Sequence, residues 1–255
     1  MLKRFLKGVW SFHRLPEIGA CRKATPQWIR LTACYLGFPI TLPFEIQLAT
    51  GPFYFETIAD VRTFWQIFLG RIYEVRRSDR LIVDAGANIG AFTVYALMTA
   101  PQARVISIEP GPDSCDRIRR LLRAHGFEHR CTLHQAALGG QRGVTSLNMD
   151  AGSQFRATGA GGVQVDMVTL DEVVAGRVDL LKMDIEGAEY ETLSAASLST
   201  LRSIQRVAME YHPNRPLSAV ASALEPAGLA LAGVREEGGG YGLAYWKARP
   251  LATGL

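Results

Sequence analysis

Cysteine is scarce in this 255-residue chain, and the positions of its cysteines argue against a zinc-binding protein and against a disulfide-stabilised protein. The four cysteines, Cys21, Cys34, Cys115 and Cys131, are widely separated and form no C-x-x-C pair. Such spacing speaks against a cysteine-based zinc site, which is typically built from C-x-x-C pairs, and against the disulfide framework of a small secreted protein. We therefore expect four reduced thiols, and hence a cytoplasmic protein.

Long apolar runs are also missing. The most apolar early stretch, residues 31–44, is interrupted by Pro39 and Pro43 and is too short to span a membrane. The first 15 residues carry basic side chains but lack the sustained apolar core of a signal peptide, so we do not expect export. Beyond that segment no basic run is interleaved with aromatic residues, and we expect no nucleic-acid partner.

The overall composition is that of an ordinary globular protein, with 48% hydrophobic residues, 20% charged residues and a net charge of +4. A chain of this length suits one α/β domain with a substantial core and an extension, and is short for two independent domains. We expect an N-terminal helical and hairpin extension over residues 1–75 and the main α/β domain over residues 76–255.

The extension contains two patterns of apolar residues. Within residues 1–20, apolar residues recur at helical spacing among basic ones. Such a helix either lies on an anionic membrane, or packs as an arm on its own domain or on a second subunit. A peripheral contact with the inner face of the membrane and an oligomer therefore both stay open. Alternating apolar residues before and after a Gly51-Pro52 turn predict a hairpin over residues 40–55, and a helix is predicted over residues 60–73.

The most informative stretch covers residues 81–110. Residues 81–83 form an apolar run suited to a buried parallel strand, a glycine turn follows, and residues 91–99 favour a helix. A second apolar run, residues 104–108, ends on Glu109, where a nucleotide-binding βαβ unit places the acid that binds ribose hydroxyls. The stretch therefore predicts an adenosine-sized site at the end of two strands.

The glycine turn departs from the dinucleotide fingerprint. Asp84, Gly86, Asn88 and Gly90 alternate as D-x-G-x-N-x-G, with two glycines where G-x-G-x-x-G has three. An acid inside the turn would repel a pyrophosphate, and it favours a cationic or zwitterionic nucleoside such as S-adenosylmethionine. A purely structural turn would also use Gly and Asn, but Glu109 shifts the balance toward a ligand site.

Later segments complete the pattern of a doubly wound sheet. A helix is expected over residues 113–123, with its arginines, Arg117 among them, forming a solvated face. Residues 144–149 and 162–168 predict a β insertion around a Gly-, Ser- and Ala-rich loop. Two closing strands are expected near the C-terminus, across a turn of three glycines.

Polar side chains follow the remaining predicted strands. Gln135 lies in the strand over about residues 131–137, while Asp184 and Glu210 come at the ends of the next two strands, and His212 follows. Ligands of open α/β sheets bind outside the carboxyl ends of the strands, so we expect these side chains to converge. Such a group could accept a proton from a hydroxyl, orient it, or hold a divalent cation.

Structural alternatives exist for three residues near this group. Glu186 and Glu189 could be acids that stabilise the start of a helix. His212 could be an ordinary turn residue before Pro213. Asp184 is harder to explain in this way, because an unpaired carboxylate at the end of an apolar strand is unfavourable.

These motifs together resemble a known family. The order and spacing of V-D-A-G-A-N-I-G-A-F-T, I-E-P, A-L-G, T-L-D, L-L-K-M-D-I-E-G-A-E and M-E-Y-H are similar to those of the FkbM-like S-adenosylmethionine-dependent methyltransferases, over about residues 60–215. The resemblance implies a class I methyltransferase fold, Rossmann-like, with a seven-stranded sheet whose last strand is antiparallel. It also implies methyl transfer to a hydroxyl of a sugar, glycan or natural-product acceptor.

The resemblance assigns roles to residues of this chain. It implies that Asp84, Gly86, Asn88 and Gly90 surround the methionine part of the cofactor, that Glu109 binds its ribose, and that Gln135 and Ala136 border its adenine. It places Asp184 nearest the methyl group, with Glu186, Glu210 and His212 facing the acceptor. One departure is His125, where the family would have an asparagine closing a helix.

Two other functions stay open from the sequence. A nicotinamide-dependent oxidoreductase would use the same βαβ unit, although the third glycine is absent. A non-catalytic, membrane-associated scaffold protein would rely on the basic N-terminus. A divalent cation is compatible with the acidic residues but is not implied by the family motifs.

Overall fold

A computed structural model describes residues 15–148, 156–157, 163–212 and 216–249. The helices are α1 Leu15–Ala24, α2 Trp28–Tyr35, α3 Ile58–Phe64, α4 Ala91–Thr99, α5 Pro112–His125, α6 Leu170–Val173, α7 Glu189–Ala195, α8 Leu198–Ser203 and α9 Leu217–Leu224, with a π-helix at Trp65–Leu69 and 3₁₀-helices at Glu128–Arg130 and Glu225–Ala227. The strands are β1 Phe44–Gln47, β2 Pro52–Phe55, β3 Leu81–Ala85, β4 Arg104–Ile108, β5 Cys131–His134, β6 Ala137–Leu138, β7 Gly143–Asn148, β8 Arg156–Ala157, β9 Val163–Val168, β10 Leu180–Met183, β11 Arg206–Tyr211, β12 Leu229–Gly238 and β13 Tyr241–Ala248.

A seven-stranded sheet forms the centre of the molecule. Its strand order is β12-β13-β11-β10-β3-β4-β5. The five strands from β11 to β5 are parallel, and β13 runs antiparallel to both of its neighbours. The predicted class I fold with an antiparallel last strand is therefore confirmed. Strands β10 and β11 are adjacent, with Met183 opposite Met209, so the residues that follow them lie side by side.

Helix α4 is buried on almost every side, because the N-terminal extension covers the face that the sheet leaves open. The ring of Phe68, in the π-helix, meets Tyr95 edge to face at 5.3 Å, and Tyr73 meets Phe92 at 5.4 Å. The predicted hairpin is formed by β1 and β2, whose Phe53 and Phe55 pack in the same core. The extension and the central domain thus share one hydrophobic core, and the boundary near residue 75 stays a prediction.

His125 connects the hairpin to the end of α5. Its Nδ1 atom lies 2.6 Å from the hydroxyl of Thr50, and its Nε2 atom lies 3.0 Å from the carbonyl oxygen of Pro52. An asparagine side chain is too short to span both contacts. The departure from the family pattern therefore falls at a packing contact of the extension.

Three details of the sequence prediction are wrong. The strand predicted to reach residue 137 ends at His134, because residues 137–138 pair with β9 in a second sheet of order β6-β9-β7-β8. The helix predicted over residues 60–73 ends at Leu69, and its second half is a π-helix. Arg117 is not part of a solvated face, since its side chain is 14% exposed and its Nη2 donates to Asp60 at 2.7 Å.

The β insertion is confirmed by β7 and β9, which pair antiparallel in the second sheet. Most of its loop, residues 149–155 and 158–162, lies outside the described residues, as do residues 1–14 of the predicted amphipathic helix. All four cysteines are free thiols. Within the described parts of the chain, no helix has the length and apolar character needed to cross a bilayer.

Candidate active site

The glycine turn between β3 and α4 packs against the backbone at the carboxyl end of β10. Gly86 has a φ of +75°, and a Cβ at this position would lie 1.8 Å from the backbone oxygen of Asp184. Both the left-handed backbone and the close approach require glycine. Asn88 also has a positive φ, +49°, which asparagine tolerates better than most residues. The turn therefore brings bare backbone against the strand that carries Asp184.

Lys182, a buried residue of β10, hydrogen-bonds to the backbone of this turn. It is 3% exposed, and its Nζ atom donates to the carbonyl oxygens of Ala85 at 3.2 Å and Gly86 at 2.6 Å. The same ammonium lies 3.1 Å from Oδ1 of Asp84, whose other oxygen accepts a hydrogen bond from the Thr93 hydroxyl at 2.6 Å. Burial by itself lowers the pKa of Lys182, but the carboxylates of Asp84, Asp184 and Glu109 together outweigh burial and raise it.

Glu109 reaches back from the end of β4 to the same turn. Its carboxylate accepts the backbone N–H of Asn88 at 2.7 Å and that of Gly111 at 2.9 Å. The side chain is buried, and this burial raises its pKa to about 7 although the two N–H donors act in the opposite direction. Each oxygen of an ionised carboxylate has two acceptor sites, so Glu109 can still accept hydrogen bonds from a ligand.

A cavity of about 220 Å³ opens between the turn, the end of β10 and the second sheet. The described residues that line it are Gly86, Asn88, Ile108, Glu109, Pro110, Ala137, Leu138, Gly139, Gly140, Thr145, Leu147, Met167, Asp184, Ile185, Glu186, Ala188 and Glu191. Four of these are acids and none is a lysine or an arginine. Such a lining is electrostatically unfavourable for a pyrophosphate and favourable for a cation.

Some of the predicted binding residues lie outside the cavity lining. Asp84 and Gly90 are behind the turn, where Asp84 pairs with Lys182 and Gly90 begins α4. Gln135 is exposed and accepts a hydrogen bond from Arg119 at 3.1 Å, and Ala136 is buried without lining the cavity. The lining comes instead from the residues that follow, beginning with Ala137, and the adenine assignment of Gln135 and Ala136 stays a prediction.

Asp184, Glu210 and His212 converge beside the cavity, as their positions after adjacent strands predict. One ligand atom from each of these side chains lies within 4.8 Å of the others. Burial raises the pKa of Asp184 against the opposing charge of Lys182. Tyr73, from the extension, is buried next to this group, and burial together with the charges of Asp184 and Glu210 raises its pKa well above 10.0.

His212 is held between two glutamates. Its Nε2 atom lies 3.5 Å from Oε2 of Glu186, and its Nδ1 atom lies 3.1 Å from Oε1 of Glu189. Burial by itself lowers the pKa of His212, but the two carboxylates outweigh burial and raise it to about 10. His212 is therefore an imidazolium at neutral pH. Glu189 also accepts the backbone N–H groups of Ile185 and Gly187, so it fixes the loop that presents Asp184 and Glu186.

Sequence reasoning gave no role to Lys182 and interpreted Glu189 as an acid that stabilises the start of a helix. A signal for Lys182 existed, since a single charged residue inside an apolar strand has to be paired. Glu189 and Tyr73 had no comparable signal, because their roles depend on contacts with residues that are distant in the sequence.

The strand order and the acidic cavity at the carboxyl ends of β3, β4 and β10 define a class I methyltransferase fold. A family model described as the methyltransferase FkbM domain matches residues 84–225. The chain belongs to the FkbM methyltransferase family, and it is an S-adenosylmethionine-dependent methyltransferase.

Individual relatives agree with this assignment. Methyltransferase 1 of Beauveria bassiana is 28% identical over 66% of this chain and 80% of its own length. The 31-O-demethyl-FK506 methyltransferase FkbM of Streptomyces tacrolimicus is 26% identical over 58% of this chain and 72% of its own. The crystal structure of methyltransferase FkbM from Methylobacillus flagellatus shares the fold, with a TM-score of 0.54 and 20% sequence identity. The superposed region covers 71% of this chain and 46% of the Methylobacillus chain.

Proposed function

We propose that this enzyme methylates a hydroxyl oxygen of a sugar, glycan or natural-product acceptor. The observation that carries the proposal is the acidic cavity that reaches Asp184, a carboxylate that lies within 4.8 Å of ligand atoms of Glu210 and His212. The relative from Streptomyces tacrolimicus is a 31-O-demethyl-FK506 methyltransferase by name, which supports an oxygen acceptor. The acidic lining without basic residues argues against the nicotinamide-dependent alternative, whose cofactor carries a pyrophosphate.

The cavity residues fit S-adenosylmethionine. Its sulfonium and ammonium groups are cationic, and the lining provides four carboxylates. Asn88 lines the cavity, and its Oδ1 atom is buried with no hydrogen-bond partner in the described structure, so a ligand donor would satisfy it. We assign Glu109 to the ribose hydroxyls, because it lies at the end of β4 with acceptor sites left. Gly86 and Asn88 would border the methionine part of the cofactor.

Bound S-adenosylmethionine would supply an activated methyl group for in-line displacement: the bond from the acceptor oxygen to the methyl carbon would form as the carbon–sulfur bond breaks and S-adenosylhomocysteine leaves. Asp184 accepts the hydroxyl proton in this proposal, because His212 is already protonated at neutral pH and offers no lone pair. Glu186 and His212 would orient the acceptor. Lys182 and Glu189 would act indirectly, by fixing the turn and the loop that carry these groups.

A first experiment tests the cofactor site. Isothermal titration with S-adenosylhomocysteine compares the wild type with Glu109→Ala, and NADH is titrated as the competing ligand. We expect S-adenosylhomocysteine to bind to the wild type and its affinity to fall at least tenfold in the variant, since two ribose hydrogen bonds to a charged group are lost. Binding of NADH in its place would contradict the proposal.

A second experiment tests the base. Asp184→Asn should lower kcat by roughly 10²- to 10⁴-fold on whichever hydroxylated acceptor is methylated, while S-adenosylhomocysteine affinity changes little. Asp166→Asn, an exposed carboxylate on β9, is the matched control and should keep full activity. Unchanged turnover in Asp184→Asn would remove Asp184 from the mechanism.

A divalent cation is a second way to activate the acceptor at the same place. Asp184, Glu210 and His212 place two carboxylate oxygens and an imidazole nitrogen within 4.8 Å of one another. Mn²⁺ or Zn²⁺ would bind there only by displacing the proton of His212, because a metal-bound histidine has to be neutral. A cation held there would lower the pKa of the acceptor hydroxyl. Activity lost on dialysis against EDTA and restored by one of these ions would favour this alternative, and activity insensitive to EDTA would exclude it.

A further inference from the structure

The positive charge of this chain is concentrated near its N-terminus. Residues 1–44 contain seven lysines and arginines and a single acid, which gives a formal net charge of +6. The whole chain carries +4, so residues 45–255 carry −2. Residues 18–44 contain no acid at all. Such an asymmetry indicates a surface that meets a polyanion or an anionic membrane.

Helix α2 presents apolar side chains on its outer side as well as its inner side. Its inner side is formed by Leu31, Thr32 and Cys34, which are buried. On the opposite side, Ile29 is 66% exposed and Leu36, one residue beyond the helix, is 40% exposed. These two positions are seven residues apart and therefore lie on one stripe of the helix surface. Phe38 follows shortly after the end of the helix and is 48% exposed.

Basic residues surround this stripe. Arg22 and Lys23 are exposed in the last turn of α1. Helix α1 packs against α2, to which it is joined by a short loop. Arg30 follows Ile29, and its position is fixed because Nη2 donates to the carbonyl oxygen of Thr41 at 3.2 Å. We use the name basic apolar face for the exposed set Arg22, Lys23, Ile29, Arg30, Leu36 and Phe38.

We propose that the basic apolar face binds the surface of an anionic lipid bilayer. Exposed aliphatic and aromatic side chains beside lysine and arginine are the combination that inserts at the headgroup boundary and neutralises anionic lipids. A second copy of the chain is a poorer partner, because two such faces would bring like charges together. In the sequence, residues 1–14 contain four more basic residues and no acid.

Flotation of the full chain with lipid vesicles tests the proposal. Vesicles of phosphatidylcholine containing phosphatidylglycerol are compared with vesicles of phosphatidylcholine alone. We expect the protein to float with the anionic vesicles only, and to be released as salt is raised, because salt screens exposed charges. Ile29→Glu/Leu36→Glu should lower the partition coefficient at least about tenfold, and Arg22→Gln/Lys23→Gln should lower it by a similar factor.

The matched control is Leu231→Glu/Val234→Glu, which places the same charges at exposed apolar positions of β12 and should float like the wild type. Unchanged binding of S-adenosylhomocysteine shows that each variant is folded. The proposal is wrong if the wild type does not float with anionic vesicles, or if the substitutions in the face leave flotation unchanged. It is also wrong if the wild type sediments as a dimer that Ile29→Glu/Leu36→Glu dissociates, since the face would then bind a second copy.

Discussion

Lys182 donates a 2.6 Å hydrogen bond to the carbonyl oxygen of Gly86, and so joins β10 to the turn that follows β3. The contact lies below the cavity, not inside it. A buried ammonium here balances the buried carboxylate of Asp84 and satisfies two backbone oxygens of the turn. The position of Gly86 in the cavity wall therefore depends on a side chain that does not line the cavity.

Replacement of Lys182 by methionine should destabilise the protein and weaken cofactor binding together. The change leaves Asp84 buried without its partner, which costs about 3–5 kcal/mol of unfolding free energy. Asp84→Asn/Lys182→Met should recover part of that loss, because neither member of the pair is then charged. Lys247→Met, on the exposed side of β13, is the control and should stay within about 0.5 kcal/mol. Urea unfolding gives the free energies and calorimetric titration gives the affinity; equal midpoints for Lys182→Met and wild type would contradict the assignment.

Alanine at Gly86 should be far more disruptive than alanine at Gly126. Both glycines have a left-handed backbone, with φ of +75° and +69°, but a Cβ at Gly126 has no atom within 4 Å. Gly126→Ala should therefore lower the free energy of unfolding only by the cost of a left-handed backbone at alanine, about 1–2 kcal/mol. Gly86→Ala should lose about 1–3 kcal/mol more, because its Cβ collides with the backbone of Asp184, and it should also lose S-adenosylhomocysteine binding. Similar stability for the two variants in thermal unfolding would show that the turn is not packed as described.

Cofactor affinity should increase between about pH 6 and pH 8 because of Glu109. Burial raises the pKa of this carboxyl to about 7, so in the free protein it is mostly protonated at lower pH and ionised at higher pH. The ionised form is the one that can accept both ribose hydroxyls, so binding should be about tenfold weaker one pH unit below that pKa than at its plateau.

The control for this pH dependence is Glu109→Gln. It keeps the shape of the side chain but cannot ionise, and its affinity should be low and constant over the same pH range. Titration in buffers of different ionisation enthalpy should show about one proton released by the wild type on binding at low pH. A wild-type affinity that does not change with pH would rule out Glu109 as the titrating group.

Local patterns were enough to predict the parallel sheet and the glycine turn after β3. The apolar runs at β3 and β4, with glycines between them, predict that unit because each strand is buried on both faces. Adjacent β10 and β11 bring Asp184 beside Glu210, so convergence at the edge of the sheet could also be predicted. The pairing of Ala137 with β9 could not, because a two-residue strand carries no periodicity.

The charged contacts were less predictable, because each depends on a partner distant in the sequence. Glu189 fits a helix start by spacing alone, and its contact with His212 appears only after β11 is placed beside β10. Arg117 has the spacing of an exposed helix residue, yet its partner Asp60 lies in the extension. Where an extension covers the main domain, the sequence pattern of one element does not show which of its polar residues are covered.

The ion pair between Arg117 and Asp60 should make a large contribution to the stability of the extension on the main domain. Both side chains are largely buried, at 14% and 1% exposure, and Asp60 also closes the capping box of α3 with Thr57. Arg117→Met should therefore lower the free energy of unfolding by about 3 kcal/mol. Arg119→Met, whose side chain is 46% exposed and pairs with the exposed Asp116, should lose less than about 1 kcal/mol.

The loss in Arg117→Met should itself depend on pH. Burial would raise the pKa of Asp60, but the hydrogen bonds from Arg117 and from the backbone of Glu56 and Thr57 lower it below its usual 3.8. A carboxyl whose pKa is lower in the folded than in the unfolded state stabilises the protein fully above about pH 4 and loses that effect as the pH falls further. The difference between wild type and Arg117→Met in urea unfolding should thus be largest near neutral pH and shrink at about pH 3. A difference that stays constant, or grows in acid, would show that packing and not charge pairing holds Arg117 in place.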